Sequence, residues 1–375
     1  MVICHITSMH DYNDDRIFER ACKGLVSSGN EVSLIAEYPG TICIEGIEII
    51  GLRKRSGLKR RILSSFEAYR KARKVKADVY HFHDPDLIPW MFVLAVSGNI
   101  VAYDVHENYE SRLHRNLIPK FLRNILSSSY RIVENFFSRR FSGITVVSES
   151  MLKLFHPYKK PAAIIGNVVY KDRLKDVNLG SEKESRITIY TSGTNSPSRN
   201  CVNTIKALPS ILKEYPDVVV KFAGSYYPDG YKEKLMEEAR YLRVIDNVVF
   251  EGMMPWEENF KRTSRAHIGC VFYEDNLNNR VTLPNRLFEY MFCGVAVLGE
   301  DFPEVRKILD ETEAGICVNS SDPEDIAQKI LYLLKEPELL IRMGINGRNA
   351  VLTKYNFENT LIDLMKFYKN ISGGK

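Results

Sequence analysis

Short apolar runs alternate with helix-like patterns along the first half of the chain. Val2–Thr7 and Glu31–Ala36 have the length of strands, whereas Arg16–Ser28 repeats apolar residues at helical spacing and closes at Gly29. The alternation continues and predicts strands at 78–83, 100–105 and 143–147, with helices at about 60–76, 86–97 and 119–140. Strands that alternate with helices are typical of βαβ units and a parallel sheet.

The same pattern restarts after a polar stretch at 167–186. It predicts strands at 187–191, 218–223, 247–251, 267–272 and 295–298, and a largely helical tail from 323 to 368. We therefore expect an α/β protein with two Rossmann-like, doubly wound parallel-sheet domains that face each other across a cleft. The predicted N-terminal domain is 1–168, joined by a C-terminal helix at about 356–375, and the second domain is 169–355.

Composition is that of an ordinary folded globular protein. The 375 residues are 45% hydrophobic and 26% charged, which excludes a disordered chain. The longest apolar stretch, Leu87–Val96, is too short to span a bilayer and contains Pro89. No leader peptide is visible, and the seven cysteines form no CxxC pair, so we expect reduced thiols and a cytoplasmic location.

Charge is concentrated in one segment. Arg53–Lys76 contains 11 basic residues and the single acid Glu67. Apolar residues at helical spacing lie between the charges: Leu58, Ile62, Leu63 and Phe66. A basic amphipathic helix can lie on an anionic membrane surface, and we expect this segment to bind the inner face of the membrane. The alternative is a solvated helix face whose apolar edge packs on the sheet.

The segment Thr282–Gly294, TLPNRLFEYMFCG, carries the most specific chemistry. Pro284 begins a helix and Gly294 ends it, so the N–H groups near Asn285 offer a phosphate site. Arg286 lies in the first turn, where a cation opposes the helix dipole unless it binds an anion. Glu289, one turn further on, can accept hydrogen bonds from a ribose diol. Alternatively, these are the ordinary residues of a half-buried helix.

This segment resembles the donor-binding helix of the family-4 retaining glycosyltransferases of GT-B fold, especially bacterial surface-polysaccharide members. The resemblance implies that Glu289 binds the ribose of a nucleotide-sugar. The family commonly has another glutamate eight positions earlier, where this chain has Val281. The carboxylate missing there normally contacts hydroxyl groups of the donor sugar.

A second match to the family is YTSGTNSPSRN, from Tyr190 to Asn200. Gly193 stands at the turn after a strand, and the family's two diphosphate-binding cations fall on Thr194 and Arg199. One cation is therefore retained and the other is lost. The resemblance implies that Arg199 binds the donor diphosphate, and a planar guanidinium suits that contact. The alternative is a solvated loop charge.

Two further matches lie in the N-terminal half. His106 ends a strand in VAYDVHENYE, and the resemblance implies that it contacts the donor sugar. In SMHDYNDDRIF, Asp15 is expected to cap the helix and Arg16 to contribute to a phosphate or acceptor loop. With Arg199 and Glu289, His106 completes the set that we expect to be catalytic.

HFHDPDL, residues 81–87, offers an Asp-x-Asp sequence and two histidines that could be drawn as metal ligands. Asp-Pro-Asp is also a common way to turn the chain and cap a helix. Because the GT-B resemblance implies that fixed positive charges replace a metal, we expect no metal and no cofactor.

The main interpretation is a retaining, metal-independent glycosyltransferase. It would move a sugar from a UDP- or GDP-sugar to a glycan acceptor, lipid-linked, in bacterial cell-surface polysaccharide synthesis, without a nucleic-acid partner. One rival is a nucleotide-sugar 2-epimerase of the same fold. Another is a non-enzymatic basic adaptor that binds anionic lipid or nucleic acid through Arg53–Lys76.

Overall fold

The computed structural model describes residues 1–55, 57, 60–108, 130, 132–155, 160–175, 177, 179 and 182–373. Leu58 and Lys59 of the basic segment, and most of the helix expected at 119–140, lie outside these residues. The chain divides into two compact units. Met1–Asn167 and Phe357–Lys375 form the first unit, and Val168–Asn356 forms the second. The acceptor-binding and donor-binding roles expected of the two units stay predictions.

The first unit is built on an eight-stranded sheet. Its strands are β1 (Val2–Asp11), β2 (Glu31–Glu37), β3 (Thr41–Ile44), β4 (Ile47–Leu52), β5 (Val79–Phe82), β6 (Val101–Val105), β7 (Gly143–Val146) and β8 (Ala162–Ile164). Their order is β3-β4-β2-β1-β5-β6-β7-β8, and every pairing is parallel except that of β3 with β4. The central strand β1 carries Ile3 and Ile6, which are fully buried.

The β3–β4 hairpin was not predicted from the sequence. Its two-residue turn is Glu45-Gly46, and both residues have positive φ, 51° and 79°. Such a turn matches the twist of the strands it joins, and glycine adopts this conformation without strain. The hairpin adds an antiparallel edge to a sheet that is otherwise parallel.

The second unit contains a six-stranded sheet that is parallel throughout. Its strands are β9 (Thr188–Ser192), β10 (Val219–Ala223), β11 (Val248–Gly252), β12 (Ile268–Val271), β13 (Ala296–Glu300) and β14 (Gly315–Val318). The order β11-β10-β9-β12-β13-β14 is the 3-2-1-4-5-6 order of a Rossmann fold, which reverses direction beside β9. The predicted α/β class with two parallel-sheet units is confirmed; strand β14 was missed.

Helices connect the strands in both units. The first unit has α1 (Lys23–Ser27), α2 (Ser65–Ala72), α3 (Ile88–Val96), a helical segment at 132–138, α4 (Glu149–Leu154) and, numbered last, α14 (Phe357–Ile371). Two π-helical turns, Asp15–Cys22 and Arg60–Ser64, precede α1 and α2. The second unit has α5 (Lys171–Leu174), α6 (Cys201–Leu212), α7 (Tyr231–Tyr241), α8 (Trp256–Arg265), α9 (Leu277–Val281), α10 (Asn285–Phe292), α11 (Pro303–Thr312), α12 (Pro323–Lys335) and α13 (Pro337–Thr353).

Short 3-10 turns at Pro85–Leu87, Pro197–Arg199 and Ile245–Asn247 complete the described secondary structure. Across the described part of the chain, no helix combines the length and the apolar character that a bilayer crossing requires.

Candidate active site

In the second unit, two glycines bring two loops together at the carboxyl ends of β9 and β10. Gly193 follows β9 with a φ of 95°, and Gly224 follows β10 with a φ of 108°. A Cβ atom on Gly224 would lie 2.0 Å from the carbonyl oxygen of Gly193, so no side chain fits there. In Rossmann-like sheets, ligands bind at this edge, where the strand order reverses.

Arg286 reaches this edge from the first turn of α10. Its side chain is buried, and Nη1 donates hydrogen bonds to Thr191 Oγ1 at 3.4 Å and to the carbonyl oxygen of Ser192. Its other terminal nitrogen, Nη2, is buried and has no hydrogen-bond partner among the described residues. One side of the guanidinium is therefore fixed to β9, and the other keeps unused hydrogen-bonding capacity.

Arg199 meets Arg286 on the face of one aromatic ring. The guanidinium carbon of Arg199 lies 3.7 Å from the centroid of the Tyr273 ring, and that of Arg286 lies 5.3 Å from the same centroid. The Nη1 atom of Arg199 is also buried and unpaired within the described structure. The structure thus brings together the two arginines that the sequence singled out, which lie 87 positions apart in the chain.

The electrostatics of this pair favour an anion. Burial and, next in size, the positive charge of Arg286 lower the pKa of Arg199 to about 8. The charged Arg199 guanidinium is destabilised because it is removed from water and lies near the charge of Arg286. Its attraction to the Tyr273 ring offsets part of this cost. A diphosphate would supply the missing negative charge and the acceptor oxygens that both guanidinium groups lack.

The remaining predicted donor residues belong to the loop after β9 and to the start of α10. Thr194 is exposed, and its hydroxyl accepts a hydrogen bond of 3.2 Å from Ser225. Pro284 and Asn285 form the start of α10, which no side chain caps. Glu289 is partly buried on the same helix, three residues after Arg286 and hence its neighbour on one helix face. Their roles in donor binding stay predictions.

Tyr273 and Glu300 were not found by sequence reasoning. Glu300 ends β13, and its carboxylate accepts hydrogen bonds from the Tyr273 N–H at 3.3 Å, the Ser320 N–H at 3.2 Å and the Ser320 hydroxyl. Burial raises the pKa of Glu300 to about 7 in spite of these bonds. Ser320 also accepts a 2.7 Å hydrogen bond from Asn200, the neighbour of Arg199. Glu300 thereby ties the backbone of Tyr273 to the loop that carries Arg199.

In the first unit, His106 lies directly after β6 beside two other titratable groups. Its Nδ1 is 3.4 Å from Asp104 Oδ2, and its ring centroid is 5.7 Å from that of His10. Burial lowers the pKa of His10, but a hydrogen bond to Asp14 and the charge of Asp84 more than offset this and raise it above the ordinary value. Sequence reasoning missed His10, because a lone histidine carries no spacing signal.

The structure corrects one prediction in the loop after β1. The cap of the first helical turn is Asp14, whose Oδ1 accepts hydrogen bonds from the N–H groups of Arg16 and Ile17. Asp15, predicted to be the cap, is already helical and pairs with Arg20 instead. Of the two adjacent aspartates, Asp14 has the extended backbone of a capping residue, with a ψ of 133°.

Arg16 is anchored within the first unit. It donates to both oxygens of Asp104, at 3.0 and 2.8 Å, and to Asn167 Oδ1 at 2.7 Å and the carbonyl oxygen of Ile165 at 3.1 Å. Most of its hydrogen-bonding capacity is therefore used by the protein. Its role in a phosphate or acceptor loop stays a prediction.

The Asp-Pro-Asp sequence turns the chain as expected, but the side chain of Asp84 does not cap the helix that follows. It instead crosses to β1, where Oδ2 accepts hydrogen bonds from the Thr7 hydroxyl at 2.6 Å and from the N–H groups of Ser8 and Met9 at 2.7 and 3.2 Å. A buried carboxylate is best satisfied by several donors, and the end of β1 provides them.

Comparison with known families covers most of the chain. The family described as "Glycosyl transferases group 1" matches residues 172–350, and the family described as "Glycosyltransferase Family 4" matches residues 16–173. The two matches correspond closely to the second and the first unit. The chain belongs to the family-4, group 1 glycosyltransferases, as the sequence motifs predicted, and it is a glycosyltransferase.

Individual relatives are distant, and three of them extend over nearly the whole chain. A phosphatidyl-myo-inositol mannosyltransferase of Mycolicibacterium smegmatis is 23% identical over 93% of this chain and 88% of its own. A sucrose-phosphate synthase from Thermosynechococcus elongatus superposes with a TM-score of 0.76 at 16% identity, covering 100% of both chains. HepE of Anabaena, solved in complex with UDP, superposes with a TM-score of 0.69 at 11% identity, covering 98% of this chain and 99% of its own. The fold is therefore that of the GT-B glycosyltransferases.

Proposed function

We propose that this glycosyltransferase moves a sugar from a nucleoside-diphosphate donor to a hydroxyl group of a glycan acceptor, with retention of configuration and without a metal. The observation that carries the proposal is the pair of buried guanidinium groups, Arg199 and Arg286, on the ring of Tyr273. Each has a nitrogen without a partner among the described residues. A donor diphosphate would bind both nitrogens and neutralise both charges.

In this proposal, the protein positions the donor and stabilises the leaving group. Arg199, Arg286 and the uncapped start of α10 bear the negative charge of the departing diphosphate. Glu289 accepts hydrogen bonds from the ribose, and His106 of the first unit orients the sugar. The acceptor hydroxyl attacks on the face from which the diphosphate leaves, without a protein nucleophile, and the contribution of the enzyme is charge stabilisation and orientation.

Relatives support the classes of donor and acceptor. One of them is named for transfer of mannose to a phosphatidyl-inositol lipid, and HepE was solved with UDP. We therefore propose a UDP- or GDP-sugar as donor and a lipid-linked glycan as acceptor, in the synthesis of a bacterial cell-surface polysaccharide. The enzyme would act on the inner face of the cytoplasmic membrane.

A basic surface of the first unit supports the membrane part of the proposal. A pocket of about 380 Å³ lies there, lined by Arg53, Arg55, Leu63, Phe66, Glu67, Arg70, Lys71 and Lys74. Glu67 pairs with only two of these cations, Arg55 at 2.6 Å and Lys71 at 3.3 Å. Ile62, Leu63 and Phe66 are 56, 46 and 40% exposed, so this apolar edge is not fully packed on the sheet. Cations beside exposed apolar side chains suit an anionic bilayer.

Donor binding is tested first by a thermal-shift panel of UDP- and GDP-sugars. A ligand present at about 100 times its dissociation constant adds about 2.7 kcal/mol to the stability of the folded state. The stabilising nucleotide-sugar is then incubated with lipid-linked acceptors and, separately, without acceptor. Sugar transfer supports the proposal. An epimerised sugar formed without acceptor would favour the 2-epimerase, and a panel without any stabilising nucleotide-sugar would contradict the donor site.

Membrane binding is tested by sedimentation with vesicles that contain anionic lipid, at low and high salt. We expect the wild type to sediment at low salt and to be released at high salt, because about 1 kcal/mol per basic residue is electrostatic. The double variant Arg70→Glu, Lys74→Glu should remain in the supernatant. The matched control Lys213→Glu, Lys234→Glu makes the same charge change on exposed residues of the second unit and should sediment like the wild type. A wild type that stays in solution at low salt would contradict this part of the proposal.

A further inference from the structure

Six buried polar side chains form a closed ring of hydrogen bonds in the first unit. They come from four neighbouring strands, the residue just after β5 and the C-terminal helix α14, and none is more than 3% exposed. The ring consists of His5, His81, His83, Asp104, Thr145 and Tyr368. Only polar groups that satisfy one another are stable at this depth.

One half of the ring runs from the carboxylate to the C-terminal helix. Asp104 Oδ2 lies 3.0 Å from His83 Nδ1, and His83 Nε2 lies 2.9 Å from His5 Nδ1. His5 Nε2 lies 3.3 Å from the hydroxyl oxygen of Tyr368. These three contacts use both ring nitrogens of each histidine.

The other half returns from the helix to the same carboxylate. The Tyr368 hydroxyl lies 2.6 Å from His81 Nδ1, and His81 Nε2 lies 3.1 Å from Thr145 Oγ1. The Thr145 hydroxyl donates to Asp104 Oδ1 at 2.7 Å. The ring is thus closed by six contacts, each of hydrogen-bond length.

Counting hydrogens shows that the ring is one proton short. A neutral imidazole carries one N–H, each hydroxyl carries one O–H, and an ionised carboxylate carries none. Three histidines, one tyrosine and one threonine therefore supply five hydrogens for six contacts. Whichever of the six contacts lacks a hydrogen, its two acceptor atoms face each other with their lone pairs at hydrogen-bond distance. One additional proton closes the ring.

Asp104 is not where the additional proton resides. Burial raises the pKa of Asp104, but the charge of Arg16, the nearby His106 imidazole and the hydrogen bond with His83 hold it well below its usual range. The carboxylate is therefore ionised, and the proton belongs to the imidazoles. Burial is the main cause that lowers the pKa of His5, His81 and His83, so the uptake is expected below their ordinary value of 6.5.

A proton fits the histidine cluster better than a metal ion does. Two imidazole nitrogens bound to one tetrahedral zinc ion lie about 3.3 Å apart, because each is 2.0–2.1 Å from the metal. The nitrogens of His5 and His83 are 2.9 Å apart, an ordinary hydrogen-bond length. All six ring nitrogens of the cluster also face a hydrogen-bond partner, so none presents a lone pair to an empty space.

We propose that this ring is a binding site for a single proton, which its three histidines share, and that Asp104 transmits the resulting change of charge to His106. Three other titratable or charged groups face the ring. Arg16 and His106 contact Asp104, and the thiol of Cys22, which burial keeps neutral, lies near Tyr368. The three histidines consequently titrate as one group and not as three.

The test is an NMR titration of the full-length protein labelled with ¹⁵N in its histidine side chains. Between pH 7.5 and 4.5, the signals of His5, His81 and His83 should move with one common midpoint below 6.5 and should gain one proton in total. The signal of His106 should shift at the same midpoint. Three separate midpoints, a gain of more than one proton, no change above pH 4.5, an unmoved His106 or a chelator-sensitive bound metal would each overturn the proposal.

Two variants break the ring so that the number of hydrogens equals the number of remaining contacts. In Tyr368→Phe or Thr145→Val, four contacts remain and four hydrogens are available, so neutral histidines satisfy every contact. The shared midpoint should fall by at least one pH unit in each variant, a tenfold or greater loss of proton affinity. Tyr226→Phe removes a hydroxyl that donates to Phe222 in the second unit, and it should leave the midpoint unchanged.

The wild-type titration decides the proposal even if one ring variant fails to fold. An unchanged midpoint in a folded Tyr368→Phe or Thr145→Val protein, recognised by a wild-type amide spectrum, would overturn it.

Discussion

The guanidinium carbon of Arg199 lies 3.7 Å from the centroid of the Tyr273 ring, close enough for the cation to rest on the aromatic face. The same ring is within 5.3 Å of Arg286, so one tyrosine supports two like charges. Like charges this close destabilise each other unless a counter-ion binds. The two guanidinium groups are therefore preorganised to donate hydrogen bonds to an anion. Little further reorganisation of the protein is needed when the anion binds.

Replacing Tyr273 with leucine should weaken binding of the nucleoside diphosphate. A buried cation–π contact contributes roughly 0.5–2 kcal/mol, so we expect a loss of about 3- to 30-fold. Isothermal titration calorimetry measures the affinity directly. Tyr332→Leu changes an exposed tyrosine of the same unit and should bind like the wild type. Equal affinities for Tyr273→Leu and the control would remove the ring from the site.

Replacing Glu289 with glutamine should weaken the nucleoside and the nucleoside diphosphate equally, because the proposed contact is with the ribose that both contain. Loss of charge from such hydrogen bonds costs about 1.5–3 kcal/mol, or roughly 10- to 150-fold in affinity. Glu338→Gln, an exposed position on α13, provides the matched control. Unchanged affinities for both ligands would exclude Glu289 from ribose binding.

Replacing His106 with alanine should lower turnover and leave the affinity for nucleoside diphosphate near the wild-type value. The proposed partner of the imidazole is the sugar, which the free diphosphate lacks. A lost hydrogen bond to the reacting sugar predicts a fall of about 10- to 100-fold in kcat. Steady-state kinetics and calorimetry separate the two effects. Wild-type turnover in this variant would contradict the role.

Stability should depend on pH through Glu300. Its folded-state pKa, about 7, lies above the ordinary value of 4.5, so the folded protein keeps this proton while the unfolded chain releases it. The stabilisation from the protonated carboxyl is present below pH 4.5 and is lost as pH rises to 7. The loss is of the order of 3 kcal/mol.

Glu300→Gln lacks this titration. The free energy of unfolding of the variant minus that of the wild type should therefore be larger at pH 8 than at pH 5. Denaturant unfolding of both proteins at both pH values measures this difference. A difference between variant and wild type that is the same at both pH values would contradict the shifted pKa.

Apolar spacing and helix-start residues in the sequence predicted the strands and helices that such short-range signals mark. The strand before His106 and the helix after Pro284 were visible because apolar spacing and a proline mark them in the sequence. The β3–β4 hairpin and β14 were missed, since Glu45-Gly46 is an unusual turn sequence and Gly315–Val318 is only partly buried. Adjacent aspartates also misled the capping prediction, because only backbone geometry distinguishes Asp14 from Asp15.

Sequence reasoning found the candidate site residues that matched a family motif. It missed Tyr273 and Glu300, which lie near Arg199 only because their strands are neighbours in the sheet. Tyr273 reaches Arg199 because β12 pairs with β9, and Glu300 reaches Tyr273 because β13 pairs with β12. His5 similarly meets His81 through the register of β1 with β5. These contacts join residues far apart in the chain, and no local pattern in one sequence encodes them.

The central claim is that Arg199 and Arg286 bind a donor diphosphate, and calorimetry on their alanine variants tests it most directly. The ligands are UDP or GDP, whichever the thermal-shift panel selects, and the corresponding nucleoside. Each variant should lose about 10- to 150-fold in affinity for the diphosphate, because a charged hydrogen bond contributes about 1.5–3 kcal/mol, and should keep its affinity for the nucleoside. Arg306→Ala, a half-exposed arginine of the same unit, should bind both ligands like the wild type. Diphosphate affinity that is unchanged in both variants, or nucleoside affinity that falls equally with it, would contradict the account.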